Sequence, residues 1–272
     1  MAACMKRPAR LKLLGSEVDV VTPTEMLAFT EASALARRQV VIANHNAHSL
    51  HLVRGHREMA SLYARADLIE IDSVPLIFWG RLLGEAVRRR HRCNYLDFRD
   101  QLWSLTEREG WRVFHLGGAP GVGQAARTAI LERHPGVKLD VSHGFFDIDG
   151  AQNAQVLAQI RAFDPHILLV GMGMPRQEVW IARNLSELPA AVIFTLGAAF
   201  DYEAGVIATP PRFMARLGLE WLARLIDEPG RLAHRYLVEP WRLAPLAFDD
   251  VRQRLWDRRR AALATREAAQ GQ

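Results

Sequence analysis

Short apolar segments alternate with helical patterns between about Val18 and Ala199. Segments such as 167–170 are apolar without alternation, which is typical of strands covered on both faces of a sheet. Alternation of strands and helices predicts crossover units and a mostly parallel sheet. The predicted strands are 18–21, 40–43, 68–71, 112–116, 138–141, 167–170 and 192–196. The predicted helices are 23–37, 74–83, 97–109, 122–134, 151–163 and 175–185.

The pattern changes after Asp201, where helical stretches are separated by Pro229 and Pro240. Segment 245–266 combines apolar residues with arginines in a basic amphipathic pattern, which suits a membrane surface, a partner groove or a solvated helix docked on its own core. We therefore predict an α/β fold, with a Rossmann-like, mostly parallel sheet flanked by helices and a helical C-terminal appendage. The predicted boundary separates an α/β core, 1–205, from the helical, basic appendage, 206–272.

Charge, cysteine content and the length of apolar runs indicate the cellular compartment of the protein and its relation to the membrane. The formal net charge is +5, and the segment from Arg212 to the C-terminus holds twelve arginines and eight acidic residues. Two cysteines, Cys4 and Cys93, form no framework, which favours a reducing compartment. The longest strongly apolar run, 188–200, is shorter than the roughly 20 residues of a membrane span. We expect a protein that is soluble or lies on a membrane without crossing it.

Polar or glycine-rich residues follow most of the predicted strands, where doubly wound sheets bind ligands. Asp72 is the outstanding carboxylate, and it is interpreted equally well as a catalytic group or as the N-cap of the following helix. His45 and His48 lack a third ligand at metal spacing, so a zinc site is not predicted. The segments after the strands are 44–48, Asp72, 117–123, 171–178 and 197–201.

Two glycine segments are interpreted either as phosphate contacts or as ordinary structural features, a tight strand-to-helix turn at 117–123 and a helix start at 171–178. Segment 117–123 resembles a dinucleotide loop, and a Rossmann-type oxidoreductase is therefore an alternative of a different class. Its GxGxxA match begins at Gly121, four residues beyond the predicted strand end. Segment 171–178 is more specific, because two glycines and Pro175 prepare a helix N-terminus beside Arg176 and Gln177.

Taken together, these motifs resemble the WecG/TagA/CpsF family of glycosyltransferases, also called glycosyltransferase family 26. The resemblance runs from about Val18 to Arg235, and its blocks occur in the family's order. The blocks are Asn44 to Asn46, Ala66-Asp67 with Asp72, 81–84, Gly117-Gly118, Asp164-Pro165, 171–181, 218–222, Arg224 and Glu228-Pro229.

The resemblance implies roles for particular residues. Asp72 matches the family's general base, although Ser73 follows it where glycine is usual. The other implied residues contact substrates: Asn44 and Asn46 match a Thr-x-Asn motif in which Asn44 replaces threonine, and Arg92 and Asp97 match a block in which Tyr95 replaces glycine. Gly117, Gly118, Gly171 and Gln177 belong to the matching glycine blocks. Arg224 and Arg231 match arginines that meet the acceptor's diphosphate. His234 stands in the place of a third, and the adjacent Arg235 is the candidate for that contact.

The implied reaction is inverting transfer from a UDP-sugar to a polyprenyl-diphosphate-linked sugar. The resemblance implies that no metal or other cofactor is needed, since Asp147 and Asp149 form the only DxD and lie outside the matching blocks. It also implies a cytoplasmic enzyme that lies peripherally at the inner face of the cell membrane and binds no nucleic acid. The GumM-type branch of exopolysaccharide assembly, with β-1,4-linked glucose, is favoured. The alternative is transfer of N-acetylmannosamine, or its uronic acid, to lipid-linked N-acetylglucosamine.

Overall fold

The computed structural model describes residues 8–209, 214 and 219–270, apart from the side chains of 227, 231, 258 and 261–270. Within this part of the chain, six strands form a parallel sheet and two form an antiparallel hairpin. The strands are β1 Ala9–Leu13, β2 Ser16–Val20, β3 Val40–His45, β4 Leu68–Ile71, β5 Arg112–Gly117, β6 Lys138–Ser142, β7 Ile167–Gly171 and β8 Val192–Thr195.

The parallel sheet has the order β4-β3-β8-β7-β5-β6, which confirms the predicted fold class. The predicted strand 18–21 proves to belong to the hairpin instead of the sheet. Its partner β1 was not predicted, although Leu11 and Leu13 alternate with Arg10 and Lys12 as in a half-buried strand. Across the hairpin, Arg10 forms two hydrogen bonds of 2.8 Å with the Asp19 carboxylate.

The six predicted helices are present, with ends that shift by a few residues. Two further helices, α2 and α3, lie in a region for which none was predicted, even though Met59, Leu62 and Tyr63 have helical spacing and are buried. The helices are α1 Pro23–Leu35, α2 Ala47–Leu52, α3 Arg57–Arg65, α4 Val74–Leu82, α5 Tyr95–Arg108, α6 Val122–Arg133, α7 Ala151–Phe163, α8 Arg176–Asn184, α9 Ala199–Glu203, α10 Glu220–Asp227, α11 Pro229–Ala233 and α12 Ala244–Gln270. Short 3₁₀-helices occupy Arg89–His91 and Glu239–Leu243, and a π-helical turn occupies His234–Val238.

Helices cover both faces of the sheet and create two apolar cores. Side chains of α2, α3, α4, α7 and α8 pack on one face, and side chains of α1, α5, α6 and α9 pack on the other. The chain leaves β3 and β7 toward the first face, whereas it leaves the adjacent strands β8 and β5 toward the second. Crevices therefore open between β3 and β8 and between β7 and β5, where ligands bind in sheets of this type.

Three glycines bring the strand ends together at this edge. Gly117 and Gly171 are partners across β5 and β7, and a Cβ at Gly117 would overlap the Gly171 backbone. A Cβ at Gly171 would lie 2.6 Å from the carbonyl oxygen of Gly197, which follows β8. The absence of side chains at these positions is therefore a packing requirement of the sheet edge.

We predict that Gly171→Ala lowers the free energy of unfolding by about 1–3 kcal/mol, because the added methyl group overpacks the strand ends. The measurement is urea unfolding followed by circular dichroism. Gly230→Ala in α11 is the matched control, since nothing lies within 4 Å of its added Cβ. Equal losses in both variants would contradict the packing explanation.

Candidate active site

Asp72 lies directly after β4, at the crevice between the sheet and the appendage. Its backbone N–H donates to the His45 carbonyl oxygen at 3.0 Å, which fixes the carboxylate beside the end of β3. Two side-chain amides donate to the carboxylate: Asn46 at 3.1 Å and Asn94 at 2.7 Å. The N-cap of α4 is Ser73, so the interpretation of Asp72 as a helix cap is wrong. Its carboxylate is instead held between two asparagines and faces a cavity.

The two predicted asparagines differ in their surroundings. Asn46 caps α2 through its side-chain oxygen, which accepts from the Ser49 N–H at 3.0 Å, while its amide holds Asp72. Asn44 lies deeper and is 7% exposed. Its amide donates to the Thr195 carbonyl at 2.7 Å, whereas its Oδ1 has no partner among the described residues.

Two arginines of the appendage complete this cavity. Arg224 comes from α10 and Arg235 from the turn after α11, and the cavity between them and Asp72 has a volume of about 230 Å³. The Nε of each guanidinium is buried without a hydrogen-bond partner in the described part of the chain. Burial lowers the pKa of Arg235, and the neighbouring charge of Arg224 acts in the same direction. Two half-buried guanidinium groups, each with an unpaired Nε, are chemically suited to binding a doubly charged anion such as a diphosphate.

Arg92 and Asp97 bind each other and tie the appendage to the core. The Arg92 guanidinium donates to both Asp97 oxygens, at 2.8 and 2.7 Å, and also to Glu220 at the start of α10. Burial disfavours the charge of Arg92, yet these hydrogen bonds and ion pairs raise its pKa above the ordinary value. In this structure Arg92 is therefore engaged with protein carboxylates, and it holds α10, whose Arg224 lines the cavity at Asp72.

The glycine segments line a second, larger cavity of about 1120 Å³. Gly118 and Gly171 form part of its wall, together with Arg176 and the loop 144–147. Gln177 does not reach this cavity. It is fully buried, and its side-chain oxygen accepts from the Gly197 N–H at 3.1 Å, which shapes the loop after β8. Gly173, Gly197 and Ala198 line both cavities, which are therefore adjacent.

A third cavity, of about 300 Å³, opens from Asp72 toward the appendage. Its wall is largely apolar and includes Pro75, Trp221 and Pro240, while Arg224 and Arg235 line it as well. A lipid-linked ligand needs such a combination of apolar and cationic surface. The two smaller cavities share Asp72 and the two arginines, whereas the large cavity is lined by none of these three residues.

Comparison with known proteins identifies the relatives of the chain. The model of the glycosyl transferase WecG/TagA/CpsF family matches residues 11–260. The chain belongs to this family. It is also similar to N-acetylglucosaminyldiphosphoundecaprenol N-acetyl-beta-D-mannosaminyltransferases of Staphylococcus aureus. The protein of strain MRSA252 is 25% identical over 222 residues, which cover 80% of this chain and 85% of the relative. That of strain MW2 is 24% identical over 226 residues, which cover 82% and 87%.

Family membership makes the chain a glycosyltransferase and removes the support for the oxidoreductase alternative. The relatives bear out the predicted class of acceptor, since their names specify a sugar linked through diphosphate to undecaprenol. The glucose-transferring GumM branch is not confirmed, because the relatives are named for N-acetylmannosamine transfer. Those names agree better with the alternative prediction than with the favoured one.

The DxD motif and the two histidines, His45 and His48, make contacts with other residues of the protein. Asp147 accepts from the Asp149 N–H at 3.0 Å in the loop before α7, as predicted, and Asp149 also pairs with Arg183. His45 stacks on Tyr63, with ring centroids 4.0 Å apart, and His48 contacts Glu239 at 2.5 Å. Among the described residues, no group of three or more His, Cys, Asp or Glu side chains is placed to hold a metal ion.

Helix α12 has a docked side and an exposed side. Leu246 packs on the core, and the Asp250 carboxylate accepts from the Leu14 N–H at 2.8 Å and the Trp79 indole at 2.9 Å. Phe248 and Trp256 are 68% and 58% exposed. No helix in the described part of the chain has the length and apolarity of a membrane span.

Some residues near Asp72 were not predicted from the sequence as part of the site. Asn94 and Tyr202 line the cavity beside Asp72, and Glu220 anchors α10, yet none of the three stands at a predicted strand end. Glu70 had a signal, because it is a charged residue inside the apolar strand β4. The side chain of Arg231 lies outside the described residues, so its predicted role stays a prediction.

Glu178 is a buried carboxyl group next to Gln177. It accepts from the Gln177 amide at 2.8 Å, its second oxygen lacks a partner among the described residues, and burial raises its pKa to about 7. The folded protein therefore retains a proton on Glu178 between pH 4.5 and 7 that the unfolded chain has lost. Stability must fall as the pH rises through this window, because the folded state binds more protons.

We predict that Glu178→Gln removes this part of the pH dependence. The unfolding free energy of the variant relative to wild type should increase by about 3 kcal/mol between pH 4.5 and 8, from the shift in pKa. Urea unfolding at a series of pH values measures the difference. Glu132→Gln, on the exposed surface of α6, should show no such change. A difference between Glu178→Gln and wild type that stays constant with pH would contradict this account.

Proposed function

We propose that the protein transfers N-acetylmannosamine from a UDP-sugar to N-acetylglucosamine linked through diphosphate to a polyprenol, with inversion at the anomeric carbon. One observation carries the proposal: the Asp72 carboxylate lines the same cavity as the half-buried guanidinium groups of Arg224 and Arg235, whose Nε atoms are buried without a partner among the described residues. We infer that this cavity joins a proton acceptor to an anion site. Family membership supplies the class of reaction.

The proposed chemistry needs one base and a stabilised leaving group. Asp72 removes the proton from the acceptor hydroxyl as the hydroxyl oxygen bonds to the anomeric carbon. The bond from that carbon to the UDP oxygen breaks, and the electron pair leaves with the diphosphate. Asn46 and Asn94 both donate to Asp72, so they orient the carboxylate and keep its charge accessible to the cavity.

We assign the three cavities, of which the one at Asp72 adjoins the other two, to three parts of the substrates. The large cavity beside Gly118 and Gly171 has room for a nucleotide, and its backbone N–H groups suit a diphosphate. The cavity at Asp72 receives the donor sugar, which must lie next to the base. The apolar cavity beside Trp221 receives the lipid-linked acceptor, whose diphosphate then meets Arg224 and Arg235.

The choice of N-acetylmannosamine over glucose rests on the relatives. Their names specify this sugar and an N-acetylglucosamine acceptor. The resemblance to the GumM-type branch instead favours glucose. We therefore propose N-acetylmannosamine first. Transfer assays with UDP-N-acetylmannosamine, UDP-glucose and the corresponding uronic acid distinguish the candidates directly.

The exposed side of α12 supports a membrane-surface role. Its exposed aromatic and aliphatic side chains include Phe248, Leu255 and Trp256, and Arg252 and Arg260 belong to the same helix. Basic residues near an anionic membrane contribute about 1 kcal/mol each. We propose that this side lies on the inner face of the cell membrane, where the lipid-linked acceptor is held.

We predict that Asp72→Asn reduces transfer by a factor of about 10² to 10⁴, because the amide cannot accept the proton. The assay measures transfer of radiolabelled sugar to a lipid-diphosphate-linked N-acetylglucosamine in the presence of EDTA. Asp149→Asn, which changes an exposed carboxylate of the DxD motif, should retain wild-type activity. Full activity in Asp72→Asn would rule out the proposed base, and loss of wild-type activity in EDTA would rule out metal independence.

We predict that Arg224→Ala and Arg235→Ala each raise the KM for the lipid-linked acceptor about tenfold or more, because each removes a charged contact with diphosphate. The KM for the donor should change by less than about threefold. Arg57→Ala, on the exposed surface of α3, is the control. A rise in donor KM with an unchanged acceptor KM would show that these arginines bind the nucleotide diphosphate instead.

A further inference from the structure

Glu70 is a buried carboxyl group that the proposed reaction does not yet use. It lies in β4 between Ile69 and Ile71 and is 2% exposed. Its Oε2 has no hydrogen-bond partner among the described residues. An unpaired polar atom in such a position is costly, so it calls for an explanation.

The neighbouring strand presents a second unpaired atom beside it. Asn44 of β3 is the register partner of Glu70, and partners on adjacent parallel strands project from the same face of a sheet. The Asn44 amide is occupied by Thr195, which leaves Oδ1 unpaired. Both residues line the same 230 Å³ cavity as Asp72. The floor of that cavity therefore carries two adjacent hydrogen-bonding groups that protein partners do not satisfy.

The surroundings favour the neutral form of Glu70. Burial raises its pKa well above the usual range, and the charges of Asp72 and Asp97 act in the same direction. The nearby guanidinium of Arg92 is already bonded to Asp97 and Glu220. A neutral carboxyl group offers one O–H donor and one carbonyl acceptor, whereas Asn44 Oδ1 offers an acceptor alone.

These two groups select a particular kind of ligand. A hydroxyl group both donates and accepts, so hydroxyls of a sugar ring satisfy Asn44 and Glu70 together. An apolar group would leave both atoms unpaired, and a diphosphate would be repelled by Asp72. The diphosphate instead matches Arg224 and Arg235, which line another wall of the cavity.

The connections between the cavities distinguish the donor sugar from the acceptor sugar. The cavity at Glu70 shares Gly173, Gly197 and Ala198 with the large nucleotide-sized cavity. The apolar cavity assigned to the acceptor is lined by Asp72 but by neither Glu70 nor Asn44. A sugar attached to a nucleotide is therefore the part of the substrates that reaches the floor.

We propose that Glu70, together with Asn44, binds a hydroxyl of the donor's sugar ring and so determines which donor sugar is accepted. The inference rests on the proposed function, because it requires a nucleotide-linked sugar in this cavity. It adds a specificity-determining pair to the site.

The test compares binding of UDP with binding of UDP-N-acetylmannosamine and UDP-glucose by calorimetry, for the full chain and its variants. Glu70→Met removes both hydrogen-bonding groups and should weaken binding of the preferred UDP-sugar tenfold or more, while binding of UDP stays within about twofold. Glu70→Gln retains a donor and an acceptor and should stay within about threefold of wild type for both ligands. Asn44→Leu should show the same division as Glu70→Met, which keeps the test decisive if one variant fails to fold.

Asp19→Asn is the matched control, because the Asp19 carboxylate accepts from the N–H of Ile69 but does not line the cavity. It should lower the melting temperature without changing the ratio of UDP-sugar to UDP affinity. Equal weakening of UDP and UDP-sugar in Glu70→Met and Asn44→Leu, or no weakening in either, would overturn the inference alone. Failure of the wild type to bind any of the three nucleotides would overturn the proposed function and the inference with it.

Discussion

The buried guanidinium of Arg92 is the interaction on which the candidate site depends. It joins Asp97, in the first turn of α5, to Glu220, in the first turn of α10. Through Asp97 it is held by the core, and through Glu220 it fixes the appendage. Removing one partner of such a buried network leaves an uncompensated charge, which is strongly destabilising. The approach of Arg224 to Asp72 therefore relies on an ion pair some distance from the reacting atoms.

The sheet edge imposes the second constraint. Gly117, Gly171 and Gly197 pack backbone against backbone, and this contact brings the ends of β5, β7 and β8 together. Because the chain leaves adjacent strands toward opposite faces, crevices open at this edge. The nucleotide-sized cavity and the cavity at Asp72 occupy the two crevices and meet at Gly173 and Gly197. The topology thus places the large cavity beside the cavity that holds the carboxylate.

Charge is distributed unequally within the site. Carboxyl groups of Glu70 and Asp72 lie at the end of β4, whereas the guanidinium groups come from the appendage. An acceptor bearing both a hydroxyl and a diphosphate can meet the carboxylate and the arginines at the same time. This division explains why a separate helical appendage is needed to complete a site that begins at the sheet.

Much of this organisation follows from the sequence, because strands buried on both faces leave an unmistakable apolar pattern. Segment 167–170 predicted β7, and the polar residues after each strand predicted the ligand-binding edge. The hairpin partner β1 and helices α2 and α3 were missed, since each is short and takes its stability from tertiary contacts. The contacts around Asp72 could not be predicted from the pattern either, because Asn94 and Arg235 come to the same cavity from distant segments of the chain.

The adjacency of the unsatisfied polar atoms of Asn44 and Glu70 is a further property that only the structure reveals. Asn44 and Glu70 are 26 residues apart, and their adjacency comes from the register of β3 and β4. The sequence identifies Glu70 as unusual within an apolar strand, but it does not identify the neighbour. The resemblance identified Asp72 and Arg224 and left Arg235 as a candidate beside His234, and in the structure all three residues line one cavity.

The most direct test of the central claim is a crystal structure of the protein with UDP and a short-chain acceptor analogue bearing diphosphate-linked N-acetylglucosamine. The account predicts that a hydroxyl of the acceptor sugar lies about 2.6–3.2 Å from an Asp72 carboxylate oxygen, the range that proton transfer requires. It also predicts that the acceptor's diphosphate contacts Arg224 and Arg235. An acceptor hydroxyl beyond hydrogen-bond reach of Asp72 and beside another base, with the diphosphate away from both arginines, would contradict the account.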